Sequence, residues 1–240
     1  MEYLNSTILG SAVGIIGTGL GGLICLLFKP NNKTLSAMMA FCAGVMVGVV
    51  CFSMLGECFD GIGVFKGIIC TFFGVGFVAL VERQFKRHDI EMSPNALKTT
   101  GILVGLSIAL HNLPEGIALG SGYMHGTDVS ISLALVLLLH NIPEGVAMGA
   151  PLRASGMRAG IIPATILAGL PTAVGALIGY SVGNISAGFY GGCMGFAGGA
   201  MLYISCFELI GKSMEIESGK HAPLCAMAGM VMGWLIITLV

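Results

Sequence analysis

A six-residue motif occurs twice in this chain, as His-Asn-Leu-Pro-Glu-Gly at 111–116 and as His-Asn-Ile-Pro-Glu-Gly at 140–145. The His and the Glu of each copy are four residues apart, so on a helix they share one face and can bind one ion together. The Asn is one step round the helix and could serve an adjacent coordination position. The Pro has no N–H, so the carbonyl oxygen four residues before it stays free near these ligands. Each copy therefore supplies half of a coordination shell.

The donor atoms of two such copies narrow the choice of ion. Two imidazoles, two carboxylates and two amides suit Zn²⁺, Fe²⁺, Mn²⁺, Co²⁺ or Cd²⁺. The set is too rich in nitrogen for a typical magnesium or calcium site, and it lacks the thiolates that Cu(I) favours. On two adjacent antiparallel helices, the pooled donors are enough for one ion or for a bridged pair.

The chain around the motifs is strongly apolar. Of its 240 residues 55% are hydrophobic and only 10% are charged, and the mean hydropathy is +0.93. A soluble domain carries about 25% charged residues, so this composition indicates an all-α integral membrane protein whose continuous apolar runs are helices. We expect one polytopic domain over 1–240, with a short cytoplasmic loop at 83–98. Eight runs are near the roughly 20 residues that a spanning helix needs: 4–28, 36–57, 62–82, 99–121, 129–150, 159–181, 187–211 and 222–240.

Both motif copies therefore lie at hydrocarbon depth, where an ionisable group costs a few kcal/mol. No Lys or Arg lies within span 4 or span 5 to pair with Glu115 or Glu144. A divalent cation is the simplest partner for these carboxylates. The alternative is that the His and Glu side chains only hydrogen-bond between helices.

The basic residues predict the topology. Ten of the eleven Lys and Arg residues fall in or beside the connections 1–2, 3–4, 5–6 and 7–8, and only Lys66 falls on the other side. By the positive-inside rule those connections are cytoplasmic, so both termini are extracytoplasmic. We expect a multi-pass protein of the cell (plasma or inner) membrane.

A weaker repeat relates span 2 to span 7. The stretch Phe41–Met46 returns as Phe196–Met201, and Cys51-Phe52 returns at the same offset as Cys206-Phe207. The predicted topology orients these two spans oppositely, as it does the two motif copies. This pattern is typical of an inverted repeat with its site at the midplane. We therefore predict eight transmembrane helices in an inverted pseudo-repeat, with spans 1–3 and 6–8 around spans 4–5.

With these features the chain resembles the ZIP family of divalent-metal transporters, in particular its bacterial, GufA-like branch. The likeness covers nearly the whole chain, and the two motifs are its diagnostic part. It implies movement of divalent metal, with zinc foremost, into the cytoplasm through a site on spans 4 and 5, without a resident cofactor. The ligands that the resemblance implies are His111, Asn112, Glu115, His140, Asn141 and Glu144.

One departure from the family pattern concerns span 6. Many relatives carry a bridging Glu there in a Gly-Leu-x-Glu-Pro context, and this chain has Thr172 at that position. We therefore expect one well-formed metal position and a weaker or absent second one. The 3–4 loop contains only His88, so no metal-sensing loop is expected.

Further polar residues are candidates for the ion pathway. Ser107, one turn before His111, could line the path, although a Ser that faces another helix is the commoner case. Glu208 in span 7 could line the exit, or form an ordinary salt bridge with Lys212. Glu57 and Asp60 could line the entrance, or be ordinary solvated acids.

The sequence favours a secondary transporter or channel-like carrier and leaves an intramembrane metal-dependent hydrolase as the alternative. HExxH is absent, and there is no obvious substrate-gating domain. A metal sensor would need a soluble output domain, for which the sequence has no room. We therefore expect a protein that is not an enzyme and binds divalent metal ions and lipid bilayer but no nucleic acid, with a homodimer among the possible oligomeric states.

Overall fold

The computed structural model of the protein describes residues 2–28, 30–86, 95–125, 127–182 and 187–239. Within these ranges the elements are helices, and no strand is found. For some helical residues, His140 among them, only the backbone is described. The predicted loop 83–98 lies partly outside it, at 87–94, while its two ends are helical.

Eight helices follow one another through the described ranges, as the eight apolar runs predict. By length and mean hydropathy, α1, α2, α6, α7 and α8 are each long and apolar enough to cross a membrane. Helices α4 and α5 extend beyond their apolar runs at both ends. The prediction of an all-α membrane protein is confirmed. The helices are α1 Glu2–Leu27, α2 Asn32–Ile62, α3 Val64–Lys86, α4 Asn95–His125, α5 Thr127–Ala154, α6 Ile161–Val182, α7 Ala187–Tyr203 continued by Ile204–Ile210 and Gly211–Ile216, and α8 His221–Leu239.

The helices pack in a pattern that repeats itself. Helix α1 packs on α5 and α6, and correspondingly α6 packs on α4 and α1. Helix α2 packs on α8 and contacts α5, and correspondingly α7 packs on α3 and contacts α4. Exchanging α1 with α6, α2 with α7, α3 with α8 and α4 with α5 thus leaves the arrangement unchanged. This is the relation between spans 1–3 and 6–8 that the inverted repeat predicts, with α4 and α5 at its centre.

The local backbone of α2 and α7 shows the same relation. Helix α2 contains a π-helical segment at Val50–Met54, and α7 contains one at Ile204–Ile210. Cys51-Phe52 lies in the first segment and its repeat Cys206-Phe207 lies in the second. A π-helical turn is rare and often marks a functional site. Its recurrence at matching positions argues that the sequence repeat is real.

Glycine allows α4 and α5 to approach their neighbours closely. A Cβ added at Gly116 would lie 2.1 Å from the carbonyl oxygen of Thr172 on α6. A Cβ at Gly145 would lie 2.1 Å from the carbonyl oxygen of Thr18 on α1. Both separations are impossible for real atoms, so the last residue of each motif copy must lack a side chain. The first motif copy therefore packs closely against α6, and the second packs closely against α1.

Helix α3 offers a matched test of this kind of contact. A Cβ at Gly74 would lie 2.0 Å from the carbonyl oxygen of Phe196 on α7, whereas a Cβ at Gly76 would meet nothing within 4 Å. We predict that Gly74→Ala separates α3 from α7 and destabilises the protein by about 1–3 kcal/mol. Gly76→Ala adds the same methyl group in the same helix and should not lower stability.

The effect is measured as the melting temperature of each variant in detergent. This is the temperature at which the monodisperse peak of the protein in gel filtration is lost. Equal melting temperatures for Gly74→Ala and Gly76→Ala would contradict the close approach of α3 and α7.

Candidate metal centre

Three of the predicted ligands meet between α4 and α5. His111 and Glu115 on α4 and Glu144 on α5 each offer one ligand atom, and these atoms all lie within 4.8 Å of one another. The three side chains are 0%, 3% and 0% exposed. The two motif copies therefore contribute to one buried cluster with one nitrogen donor and two carboxylates.

The shortest contact in this cluster joins the two helices. His111 Nε2 lies 2.9 Å from Glu144 Oε1. Two donors on a tetrahedral zinc ion are about 3.3 Å apart, because each lies about 2.0–2.1 Å from the metal. An ion could therefore enter between these two atoms after a movement of a few tenths of an ångström. The second oxygen of Glu144, Oε2, is buried and has no hydrogen-bond partner among the described residues.

Each of the two motif asparagines is anchored to a neighbouring helix through its side-chain nitrogen. Asn112 Nδ2 donates to the carbonyl oxygen of Ala168 on α6 at 2.9 Å, and Asn141 Nδ2 donates to that of Val13 on α1 at 3.5 Å. These bonds define which end of each amide is nitrogen. Both Oδ1 atoms are buried and, in the described part of the chain, accept no hydrogen bond. A buried acceptor of this kind is costly unless something binds it, and a cation would.

His140, the remaining predicted ligand, has a side chain that lies outside the described residues. Its backbone belongs to α5, one turn before Glu144. Its part in the metal shell stays a prediction from the motif.

Thr172 lies in α6 beside the first motif copy. It is fully buried, its carbonyl oxygen contacts Gly116, and its Oγ1 has no hydrogen-bond partner among the described residues. Its counterpart Thr18 on α1 contacts Gly145 in the same way, but Thr18 Oγ1 donates to the carbonyl oxygens of Gly14 and Thr165. Thr172 therefore differs from its counterpart in offering a hydroxyl oxygen that no described group uses.

The candidate pathway residues fall into a buried and a more open group. Ser107 and Glu208 are 3% and 4% exposed. Lys212, the alternative partner of Glu208, forms an ion pair with Glu215 at 2.7 Å. Glu57 is half-buried, and Asp60 is exposed.

Two tyrosine–glutamate pairs were not predicted from the sequence. The Tyr190 hydroxyl of α7 donates to Glu57 of α2, which also accepts a 3.1 Å bond from Ser53. The Tyr203 hydroxyl of α7 donates to Glu82 of α3, and Glu82 is only 8% exposed. Glu82 adjoins the basic stretch that ends span 3, so from sequence alone it resembles an ordinary solvated charge. Its one sequence signal is that it lies just inside the predicted span.

Comparison with known proteins gives a family match and several similar chains. Residues 81–240 match the sequence model of the ZIP zinc transporter family. The chain is 30% identical to zinc transporter ZupT of Streptococcus mutans, over 98% of this chain and 96% of that protein. It is 32% identical to ZupT of Chlorobium chlorochromatii, over 90% of each. It is 30% identical to zinc transporter ZIPB of Bordetella bronchiseptica, over 95% of this chain and 79% of that protein.

Sequence and structure thus agree on a multi-pass membrane protein in which a cluster of His and Glu side chains that could hold a metal ion lies between the two central helices. At the level of the family, such a protein is a transporter of divalent metal rather than an enzyme. The chain belongs to the ZIP family of zinc transporters.

Proposed function

We propose that this protein moves Zn²⁺ across the membrane into the cytoplasm through the cluster of His111, Glu115 and Glu144. The observation that carries the proposal is the meeting of these three buried donors within 4.8 Å at the interface of α4 and α5. Fe²⁺, Mn²⁺, Co²⁺ and Cd²⁺ are further candidate ions, since they accept the same mixture of nitrogen and oxygen donors.

Charge supports a divalent ion at this position. Two carboxylates buried side by side repel each other, and burial makes that repulsion stronger. A dication between Glu115 and Glu144 neutralises them together, with His111 as the nitrogen ligand. The Oδ1 atoms of Asn112 and Asn141, which accept no hydrogen bond among the described residues, are the candidates for further oxygen donors.

The same donor set supports release as well as binding. A closed thiolate cage holds zinc as a structural element, whereas a transport site must also let its ion leave. Carboxylate and amide oxygens exchange more readily than thiolates. The cluster is therefore suited to a carrier, with Glu57 and Asp60 near its entrance and Ser107 and Glu208 on its way out.

The first test removes one carboxylate. Glu144→Gln keeps the size of the side chain but removes its negative charge. Residue 144 can then no longer act as an anionic ligand beside His111. We predict at least a tenfold loss of Zn²⁺ uptake into proteoliposomes, with an unchanged elution profile in detergent. Glu215→Gln is the matched control, because Glu215 is 63% exposed at its side chain and pairs with Lys212 on the surface. Near-normal uptake by Glu144→Gln would refute the ligand role of Glu144.

The second test concerns Thr172. Thr172→Glu places a third carboxylate beside the motif and is predicted to raise the number of Zn²⁺ ions bound per chain from one to two. Thr172→Gln has nearly the same volume without the charge and should leave the number at one. Calorimetric titration of the purified protein measures both. A stoichiometry of one in Thr172→Glu would show that residue 172 does not face a second metal position.

The third test concerns topology. Lys66 and Lys220 are exposed residues on opposite sides of the predicted membrane. We expect Lys66→Cys in whole cells to react with a membrane-impermeant maleimide, and Lys220→Cys to react only after lysis, each measured above the labelling of the unmodified chain. The reverse pattern would place both termini in the cytoplasm and overturn the proposed direction of entry.

A further inference from the structure

The predicted outer end of α2 carries a carboxylate that two hydroxyl groups hold in place. Glu57 Oε1 accepts a hydrogen bond from Ser53 Oγ of the preceding turn at 3.1 Å, and Glu57 Oε2 accepts one from the Tyr190 hydroxyl of α7. Neither donor carries a positive charge, and no Lys or Arg among the described residues forms an ion pair with Glu57. A carboxylate has about four acceptor positions, so two hydrogen bonds leave others free for a cation.

The packing of α2 on α7 fixes this pair of side chains through the backbone. A Cβ at Gly191, the residue after Tyr190, would lie 3.1 Å from the carbonyl oxygen of Cys58, the residue after Glu57. This separation is shorter than most contacts of a real side chain, so the two helices approach closely at this point. The Tyr190 hydroxyl therefore reaches Glu57 across a helix–helix contact and not from a loop.

The inverted repeat offers an internal comparison for this contact at the other end of α2 and α7. By the offset of the repeat, Gly191 corresponds to Ser36. Cys58 corresponds in the same way to Ser213. Ser36 Oγ donates to the carbonyl oxygen of Ser213 at 2.8 Å. The close approach of α2 and α7 is thus present at both ends.

The tyrosine and the glutamate do not repeat. Leu35 occupies the position that corresponds to Tyr190, and Lys212 occupies the position that corresponds to Glu57. Leu35 is 2% exposed, so a side chain without a hydroxyl packs well there. Lys212 forms its ion pair with Glu215 of its own helix. The packing that the two ends share therefore does not require the hydroxyl and the carboxylate found at the outer end.

Tyr190 also relates Glu57 to the metal centre. Its phenol is close enough to the carboxylate of Glu115 for the two groups to interact electrostatically. In the predicted topology α4 runs outward, so Glu115 lies about one turn nearer the outside than His111. The phenol is therefore near one acid of the predicted entrance and near the outer of the two α4 ligands.

We propose that Glu57 is the carboxylate that first captures the divalent cation on its way in, and that Tyr190 is a positioning residue that holds Glu57 on the route to Glu115. The inference rests on the proposed transport function and extends it, because it names how the ion reaches the centre. A fixed negative charge at an entrance raises the local concentration of cations and the rate at which they arrive. Because Glu57 is only half-buried, an ion beside it can keep water ligands until it meets the donors of the centre.

Capture makes a kinetic prediction that separates it from a structural role. The charge of Glu57 affects how often an ion arrives and not how fast a bound ion crosses. Its loss should therefore raise the KM of uptake and leave the maximal rate unchanged. A hydrogen bond that only ties α2 to α7 would give the reverse pattern, with a lower maximal rate or a lower melting temperature at an unchanged KM.

Single variants test this pattern by Zn²⁺ uptake into proteoliposomes. Glu57→Gln keeps the size of the side chain and an oxygen that can accept from Tyr190, but removes the charge, and should raise KM about tenfold. Tyr190→Phe removes only the hydroxyl and should raise KM about threefold. Tyr203→Phe is the matched control, because it removes from the same helix a hydroxyl that donates to Glu82, and it should leave KM unchanged.

The double variant Glu57→Gln with Tyr190→Phe tests whether the tyrosine acts through the glutamate. Residues that act together show effects that do not add, so we expect the double variant to have the KM of Glu57→Gln alone. A KM raised by the product of the two single effects would show that Tyr190 acts independently of Glu57 and would overturn its positioning role. An unchanged KM in folded Glu57→Gln would overturn capture and leave the proposed function standing.

A binding measurement tests capture without transport. The rate of Zn²⁺ association with purified full-length protein is followed in a stopped-flow cell by competition with a fluorescent zinc indicator. Glu57→Gln should slow association about tenfold and leave the number of bound ions unchanged. Equal association rates would overturn capture. Failure of the unmodified protein to take up Zn²⁺ would instead contradict the proposed function, and the association rates would still decide whether Glu57 captures the ion.

Discussion

The structure depends on a single constraint, which is that two carboxylates lie close together in the buried interface of α4 and α5. Glu115 and Glu144 are 3% and 0% exposed, and the His111 ring lies within hydrogen-bond distance of Glu144. In a low-dielectric interior such a pair is a large liability unless positive charge joins it. In the proposed function, this electrostatic cost is what would bind a dication between α4 and α5.

The surrounding helices position α4 and α5 through backbone contacts rather than through bulky side chains. The carbonyl oxygens of Thr172 and Thr18 rest on the glycines that end the two motif copies. The carbonyl oxygens of Ala168 and Val13 bind the motif asparagines. Within a membrane, helices associate by close approach of small residues and by hydrogen bonds, because lipid removes the hydrophobic drive between them. Contacts with α1 and α6 thus fix the orientation of the two motif copies.

The parts of this arrangement that are local in sequence were predictable. Apolar run length gives eight helices, and a duplicated motif with ligands four residues apart gives a buried cluster. The two tyrosine–glutamate pairs were not predictable, because each joins residues more than a hundred positions apart and depends on how α7 packs on α2 and α3. Apolar runs do not define the ends of α4 and α5, because both helices continue past their apolar part into polar residues. The side chain of His140 lies outside the described residues, so that ligand remains a prediction.

The π-helical segment at Val50–Met54 has a geometric consequence for the outer end of α2. A π-helical turn holds an extra residue compared with an α-helical turn. Rewinding the segment as a regular α-helix with no residue removed would rotate everything beyond it by roughly 100°. Glu57, which lies beyond the segment, would then turn away from Tyr190 without any change in its own identity. Deleting one residue within the segment would instead restore α-helical winding and keep the residues beyond it nearly in phase, so register as well as residue type decides which acid reaches Tyr190.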